Sequence, residues 1–382
     1  NKLLLNGNSN FNGSVSNISV IEITDDTNLP RIDYSPYSGA GTCGHWLFEP
    51  QSTNLLTYSN DFSQWDTSNF TANSETTIAP NGNTVNGYDF GDGYIFKDTA
   101  ALDGSSSYTN SIYIKANKSA TIGLRKGGAS DGTDDVDINL TTSWQRFEAT
   151  SVTSVTYPGR LLLDNRTIKG YGVSDLKVFI FAAQQERLSY ATSYIPTSGS
   201  TVTRNQEAAF GSGNSSLINS TEGVLYTEIA ALTQSPSGRR DIALSDGTSG
   251  GNIVRIHYLN TVDNTIRVQV RSGGSITASM STAVTDMRDF HKIAISYKVN
   301  EVKFYIDGVL INTDTNAAMP IGLNQLSFSD GNGTSTKFHG KTKCVAVFKE
   351  ALTDDELECL TSDETSFSSF NALALANNYT II

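Results

Sequence analysis

The sequence predicts an all-β protein built from two β-sandwiches in series, and three observations point there. Apolar residues alternate with period two over long stretches. Turn-forming residues recur at short spacing between them, with 32 glycines in 382 residues. No helical periodicity runs through the chain before residue 352. Period two marks a strand because successive side chains point to opposite faces of a sheet.

The clearest stretch is residues 290–311. Ile293, Ile295 and Tyr297 alternate with Ala294, Ser296 and Lys298. After a turn at Val299-Asn300-Glu301, Val302, Phe304 and Ile306 alternate with Lys303 and Tyr305. Asp307-Gly308 suits the positive φ of a type I′ turn, so Val309–Ile311 returns as a third strand of a meander. Earlier strands of the same sandwich are expected at 224–230, 241–245, 253–258, 265–270 and 275–280. Thr353-Asp-Asp-Glu356 reads as a capping box opening a short helix, with Leu352, Leu357 and Leu360 on its buried side. These residues resemble the laminin-G-like form of the concanavalin A-like jelly roll. The resemblance rests on the 290–311 meander, Leu326-Ser-Phe-Ser-Asp-Gly331, Phe338-His-Gly-Lys-Thr-Lys-Cys-Val-Ala-Val-Phe348 and Ala351–Leu357. It implies a sandwich closed by a strand and a helix over 205–361, in a fold that hosts lectins, glycanases, lyases and adhesion modules alike.

Residues 55–204 form the other sandwich, with strands expected at 108–116, 120–125, 136–140, 144–151, 159–164 and 176–182. Asn54-Leu-Leu with Asp61-Phe62 and Trp65, and Ser174-Asp-Leu-Lys-Val-Phe-Ile-Phe181 near the end, resemble carbohydrate-binding jelly rolls. The runs Leu47–Trp65 and Ser189–Arg204 are similar to cassettes that bracket such a module in bacteriophage tail-fibre and appendage proteins, where a laminin-G-like module follows. That resemblance implies a virion protein, in contact with other virion proteins and with host surface polysaccharide, and assembled as a homo-oligomer, with a trimer among the options. Bacterial surface proteins carry similar runs, so a secreted or cell-surface location stays open.

The remaining segments are short. Residues 1–24, where Asn17–Ile23 alternates, are expected to be terminal strands of a preceding or docked module. The chain opens at Asn1 without Met, which fits a fragment or a processed form. The density of Gly and Pro makes 25–54 a linker without regular elements. Residues 362–382, after the expected helix, are a tail.

Composition excludes several classes. Net charge is −12 from 27 Lys and Arg against 39 Asp and Glu, with no basic run. Nucleic acid, which needs a basic face, is therefore not an expected partner. No apolar run approaches the ~20 residues of a membrane-spanning helix. Three cysteines, Cys43, Cys344 and Cys359, are too few for a disulfide framework, though a Cys344–Cys359 bridge is conceivable.

Catalytic patterns are sought and mostly missing, so no enzyme activity is expected. Glycanases of this fold carry ExDxxE on one strand face, placing nucleophile and acid together; no such run occurs. Asp354, Asp355, Glu356 and Glu358 cluster at a helix start, where negative charge stabilises the N-terminus. Arg255-Ile-His257-Tyr258 faintly echoes the Arg, Gln-x-His and Tyr of alginate-type lyases. His45, His291 and His339 lack zinc-binding spacing.

Glycan binding asks for an exposed aromatic under the sugar and polar side chains around it. Tyr88 and Tyr94, in a Gly-rich stretch expected to be a loop, are the leading candidates, with Trp65 and Tyr171 beside them. Core burial is the competing reading for Trp65 and for Trp144. Arg255, His257 and Arg267 would line an exposed polar strand face of the second sandwich. A structural Ca²⁺ between first and last strands, as in carbohydrate-binding jelly rolls, would draw on Asp61 and Asp175, and no other cofactor is expected. The acidic run Asp131–Asp137 could also attract Ca²⁺, but lacks the EF-hand order.

Overall fold

The computed structural model describes residues 30–34, 44–127, 135–152, 158–236 and 238–362. The expected strands of 1–24, the tail beyond 362, Cys43 and most of the acidic 131–137 run lie outside them.

The first sandwich is one continuous eight-stranded sheet folded over itself. Its order is Asp135–Leu140, Ala120–Arg125, Pro158–Asp164, Thr84–Ala101, Leu176–Glu186, Ser107–Ala116 and Gln145–Val152, and Asp66–Ile78 pairs along Thr84–Ala101. The 18-residue strand Thr84–Ala101 makes the fold-over. Its residues 87–90 pair with Leu176–Glu186, and its residues 94–101 pair with Pro158–Asp164. Gly91-Asp92-Gly93 lies at the changeover. A Cβ on Gly93 would stand 1.9 Å from the Ser68 carbonyl oxygen, so only glycine lets the two strands approach there. The core holds Leu56, Phe90, Ile95, Ile112, Ile114, Ile122, Leu124, Leu161 and Val178.

The second sandwich packs a seven-stranded sheet on a five-stranded one. The larger runs Arg31–Asp33, His45–Phe48, Gly340–Phe348, Glu222–Ala231, His291–Lys298, Glu301–Ile306, Val309–Asp314. The smaller runs Ser275–Ala283, Thr265–Ser272, Ile253–Tyr258, Arg240–Ser245, Gln325–Ser327. The 290–311 meander forms as expected, with Asp307 at φ 49° and Gly308 at φ 80° in its second turn. The core between the sheets includes Leu225, Ile242, Val254, Ile256, Tyr258, Ile295, Tyr297 and Phe304. On the outer side of the larger sheet, Leu357 and Leu360 of the helix Asp354–Thr361 pack against Val224, Tyr226, Ala294 and Tyr305. Thr353 and Glu356 make the capping box. Cys344 and Cys359 are not joined to each other, so the conceivable bridge is not formed.

The expected linker is corrected. The described residues of 25–54 contain three strands, because their apolar residues complete two partners at once. His45–Phe48 pairs with Gly340–Phe348 and buries Phe48 in the second core, stacked on Phe328 at 4.5 Å. Four residues after Phe48, Ser52–Asn54 begins and pairs with Val202–Arg204 at the foot of the first sandwich. Asn54, fully buried, donates to the carbonyls of Ala183 (3.2 Å) and Ile195 (2.9 Å). The strap is locked by charge as well. Glu49, 4% exposed, pairs with Arg31 and, at 3.0 Å, with Arg204, and accepts from the Ser193 N–H at 2.8 Å. Its own N–H donates to Glu207 at 2.7 Å.

Candidate functional site

The first sandwich uses its candidate aromatics structurally. Tyr88 and Tyr94 are not in a loop; both lie in the strand Thr84–Ala101. The glycines there serve strand crossing, which a sequence reading takes for loop chemistry. Tyr88 stacks on Phe70 with centroids 4.7 Å apart and meets Phe62 edge-on, so it packs against the core. Trp65 is a core residue, 6% exposed, whose indole N–H donates to the Tyr58 carbonyl at 2.8 Å. Trp144 is half-buried beside Phe181 and Tyr194 and donates to the Ile78 carbonyl.

Tyr94 and Tyr171 do share a face, because Asp164 is the register partner of both Tyr94 and Gly123. Tyr171 lies over Gly123, where a Cβ would come within 2.8 Å of its ring, and donates to Asp137 at 2.9 Å. Burial, then Asp137, pushes its phenol pKa up. The Arg166 guanidinium sits 4.9 Å over the Tyr94 ring, and that of Arg160 3.8 Å over Phe96. Cations thus cover ring faces that a sugar would stack on.

The two proposed calcium ligands have other roles. Asp61 caps the one-turn helix Phe62–Gln64 by accepting from Ser63. Asp175 occupies a turn at φ 48°, its carbonyl accepting from Asn117. Among the described residues no three His, Cys, Asp or Glu side chains converge as a metal site.

The second sandwich brings its three candidates together. Antiparallel register aligns Asp241, His257, Arg267 and Ser281 in one row across the smaller sheet. The next row is Ala243, Arg255, Gln269 and Ser279. Alternation puts all of these on the face away from the core. The expectation that Arg255 and His257 are exposed is corrected: they are 3% and 2% exposed. The 329–336 segment closes over this edge, with Ser245 donating to the Gly331 carbonyl and Thr336 to Asp241. Long neighbouring arginines cover the rest of the row.

Arg255 donates to Asp241 at 3.2 Å and to the Gln269 side-chain oxygen. Arg239 donates to both Asp241 oxygens, at 2.8 and 3.0 Å. Burial lowers the Arg255 pKa to about 10, against the pull of Asp241. Burial also raises the Asp241 pKa, opposed by Arg255 and Arg239. His257 is held well below its usual pKa by burial and then by Arg255, Arg239 and Arg267, so it is neutral at pH 7.

Several polar atoms here have no partner among the described residues: the Nε of Arg255, Arg267 and Arg271, His257 Nδ1 and Asp330 Oδ1. Four arginines therefore converge on one sheet face with Asp241 and Asp330 as the nearby acids. Arg267 and Arg271 at its rim are half-buried, and Ser279 and Ser281 beside them are exposed. Guanidinium groups so placed suit a carboxylate, which they bind through two parallel N–H bonds. Tyr258 turns to the opposite face, into the core against Phe338, and cannot serve His257 as a proton donor or acceptor.

The sequence singles out Arg255, His257 and Arg267, which the register places on one face, but not Gln269, Arg239, Arg271 and Asp241 beside them. Gln269 and Arg271 were within reach, since period two from Arg267 selects both. Asp241 and Arg239 needed the strand pairing.

The described residues thus form an all-β protein of two sandwiches, the second carrying a buried polar face on its smaller sheet. The family described as the concanavalin A-like lectin/glucanases superfamily, in its laminin G form, matches residues 230–358. No curated protein matches the chain. Among solved structures, the chain is similar to the CBM40 of a Ruminococcus gnavus IT-sialidase, at 14% identity and TM-score 0.33, covering 41% of this chain and 95% of that one. It is also similar to a heptameric SAP-like pentraxin from Limulus polyphemus, at 12% identity and TM-score 0.33, covering 41% and 76%. A third likeness is sheep galectin-11, at 12% identity and TM-score 0.27, covering 37% and 96%. Likeness at this level says nothing of what this chain binds.

Proposed function

We propose that this chain is a non-catalytic recognition protein that binds acidic sugars of a host surface polysaccharide through the arginine face of its second sandwich. The observation that carries the reading is the convergence of Arg239, Arg255, Arg267 and Arg271 in a chain of net charge −12. Cations gathered against the overall charge mark a local anion preference. Arg255 forms the fixed floor, while Arg239, Arg267 and Arg271 supply the reachable guanidinium edges. The match of residues 230–358 to a lectin/glucanase family supports a saccharide as the carrier of that charge. The biological setting we propose is a virion appendage, a tail fibre or capsid protein. It rests on the similarity of the runs 47–65 and 189–204 to those of phage proteins, runs that pair here through Ser52–Asn54 and Val202–Arg204.

The test is retention on a uronate-bearing polysaccharide and on its carboxyl-reduced counterpart, with new reducing or unsaturated ends assayed in parallel. Expected are retention on the acidic form alone, no product, and at least tenfold weaker binding for Arg267→Ala with an unchanged melting temperature. Equal retention on both forms would overturn the acidic-sugar reading. Product release would overturn the non-catalytic one. Light scattering separates the settings. An oligomer, such as a trimer, that binds whole cells fits an appendage. A monomer that binds soluble polysaccharide fits the accessory region of a secreted polysaccharide-degrading enzyme.

A further inference from the structure

The arginine face has a covered part and an open strip. Arg255 and His257 are buried, and the 329–336 segment closes the edge beside Asp241. The strip lies toward the opposite edge of the smaller sheet, on Thr265–Ser272 and the edge strand Ser275–Ala283. Arg267 and Arg271 stand on it half-buried, with Ser279 and Ser281 exposed beside them. Alternation puts Arg267, Gln269 and Arg271 on one side of their strand, and the register pairs them in turn with His257, Arg255 and Ile253.

Two properties set Arg267 and Arg271 apart from arginines held in ion pairs. Neither pairs with a carboxylate among the described residues, whereas Asp98 holds Arg160, Asp241 holds Arg239 and Asp286 holds Arg288. Their Nε atoms are buried without a partner, so the terminal Nη edge is what a ligand meets. They are also far from each other. Four residues separate them along the strand, a span of ~13 Å at ~3.3 Å per residue. Arg271 turns away from Arg267, because its Nη2 donates to the Gly274 carbonyl at 2.6 Å in the turn beyond the strand. The two cations therefore do not converge on one carboxylate; they suit two.

The ground between and beyond them fits a chain that passes through. Gln269, 4% exposed, is the floor between the arginines, and the hydroxyls of Ser279 and Ser281 can donate to or accept from sugar hydroxyls. Beyond Arg271 the turn residues 273–276 are exposed, and beyond Ser281 so is Ala283. Among the described residues, then, no wall at either end of the strip marks where a ligand must stop.

We propose that this strip takes an internal stretch of a linear acidic polysaccharide, with one carboxylate at Arg267 and a second, on another sugar unit of the same chain, at Arg271. The inference rests on the acidic-sugar reading above and adds how the chain lies and what it must carry. Once the first carboxylate is seated, the second contact is intramolecular, so affinity grows with chain length until both arginines are spanned.

The experiment is calorimetric titration of the whole chain with galacturonate and mannuronate oligomers of defined length, from the single sugar upward. Carboxyl-reduced oligomers, and a long oligomer capped by methylation of both terminal sugars, are run beside them. Expected is affinity that rises roughly tenfold or more with length and then levels off. Capped and uncapped long oligomers should bind alike. Arg271→Ala should leave long oligomers at the affinity of short ones, with an unchanged melting temperature. A single sugar that binds the wild type as tightly as a long oligomer would overturn the two-contact mode and leave the acidic-sugar reading standing. Loss of binding on capping would do the same, since it means that chain ends are recognised. A length dependence that survives Arg271→Ala would overturn the assignment of the second contact. Binding to no acidic oligomer, or equal binding to the reduced ones, would overturn the acidic-sugar reading and this inference with it.

Discussion

His257 sets a pH dependence at the scale of one residue. Its folded pKa lies well below 6.5, whereas the unfolded chain takes up the proton near 6.5. The stability from its neutral burial is therefore fully present above pH 6.5 and is lost as pH falls below it, by up to about 1.4 kcal/mol per pH unit. His339, lowered to about 3, and His45, also lowered, act in the same sense, while His291, raised beside Asp307, opposes them. Calorimetry between pH 7.5 and 5 should show the melting temperature falling on acidification, and a shallower fall for His257→Gln. An equal slope in that variant would mean that the ring already meets solvent. This property was not legible in the sequence. Arg255-Ile-His257 looks like a solvated strand face by alternation, and only the arginines across the register and the closing 329–336 segment bury it.

At the scale of an element, the strap 45–54 decides how the halves are joined. Phe48 is fully buried between Phe328 and Phe338, although more than 170 residues separate it from the nearest main strand of its sandwich. Phe48→Ala should cost about 3–5 kcal/mol, as for other buried aromatics truncated to alanine. Urea denaturation measures it, and a loss under about 1 kcal/mol would mean that the strand is dispensable. Glu49→Ala leaves Arg204 and Arg31 without their shared carboxylate. Its cost should fall toward the low end of about 3–5 kcal/mol, because the Arg31 side chain is 41% exposed. Pro and Gly density made this stretch read as a linker. Its strands form only because Gly340–Phe348 and Val202–Arg204 present free edges to pair with, and no local signal carries that information.

For the whole molecule, the strap predicts one cooperative thermal transition for the wild-type chain. Glu49→Ala should split it into two, one per hydrophobic core. Two transitions in the wild type would show that the sandwiches unfold independently despite the strap. The Ile253–Tyr258 strand divides its two faces: the polar face bears Arg255 and His257, and the other face buries Tyr258 in the core. Acidic-glycan binding through arginines should weaken steeply with salt, as exposed charge pairs do.

By itself the sequence determined the fold class, the 290–311 meander, the capped helix, and strand positions over most of both sandwiches. These depend on period-two alternation and on turn and cap chemistry, which are local and act between residues a few positions apart. It also selected Arg255, His257 and Arg267, since alternation assigns one face to one strand. Only the tertiary structure decided the rest. It turned the Gly-rich stretch 87–94 into a bent strand, sent Trp65 and Tyr88 to the core, made the linker a strap, and joined Asp241 and Gln269 to Arg255. Each of these rests on contacts between segments distant in the chain, and the free energy of such a contact depends on what both sides bury together.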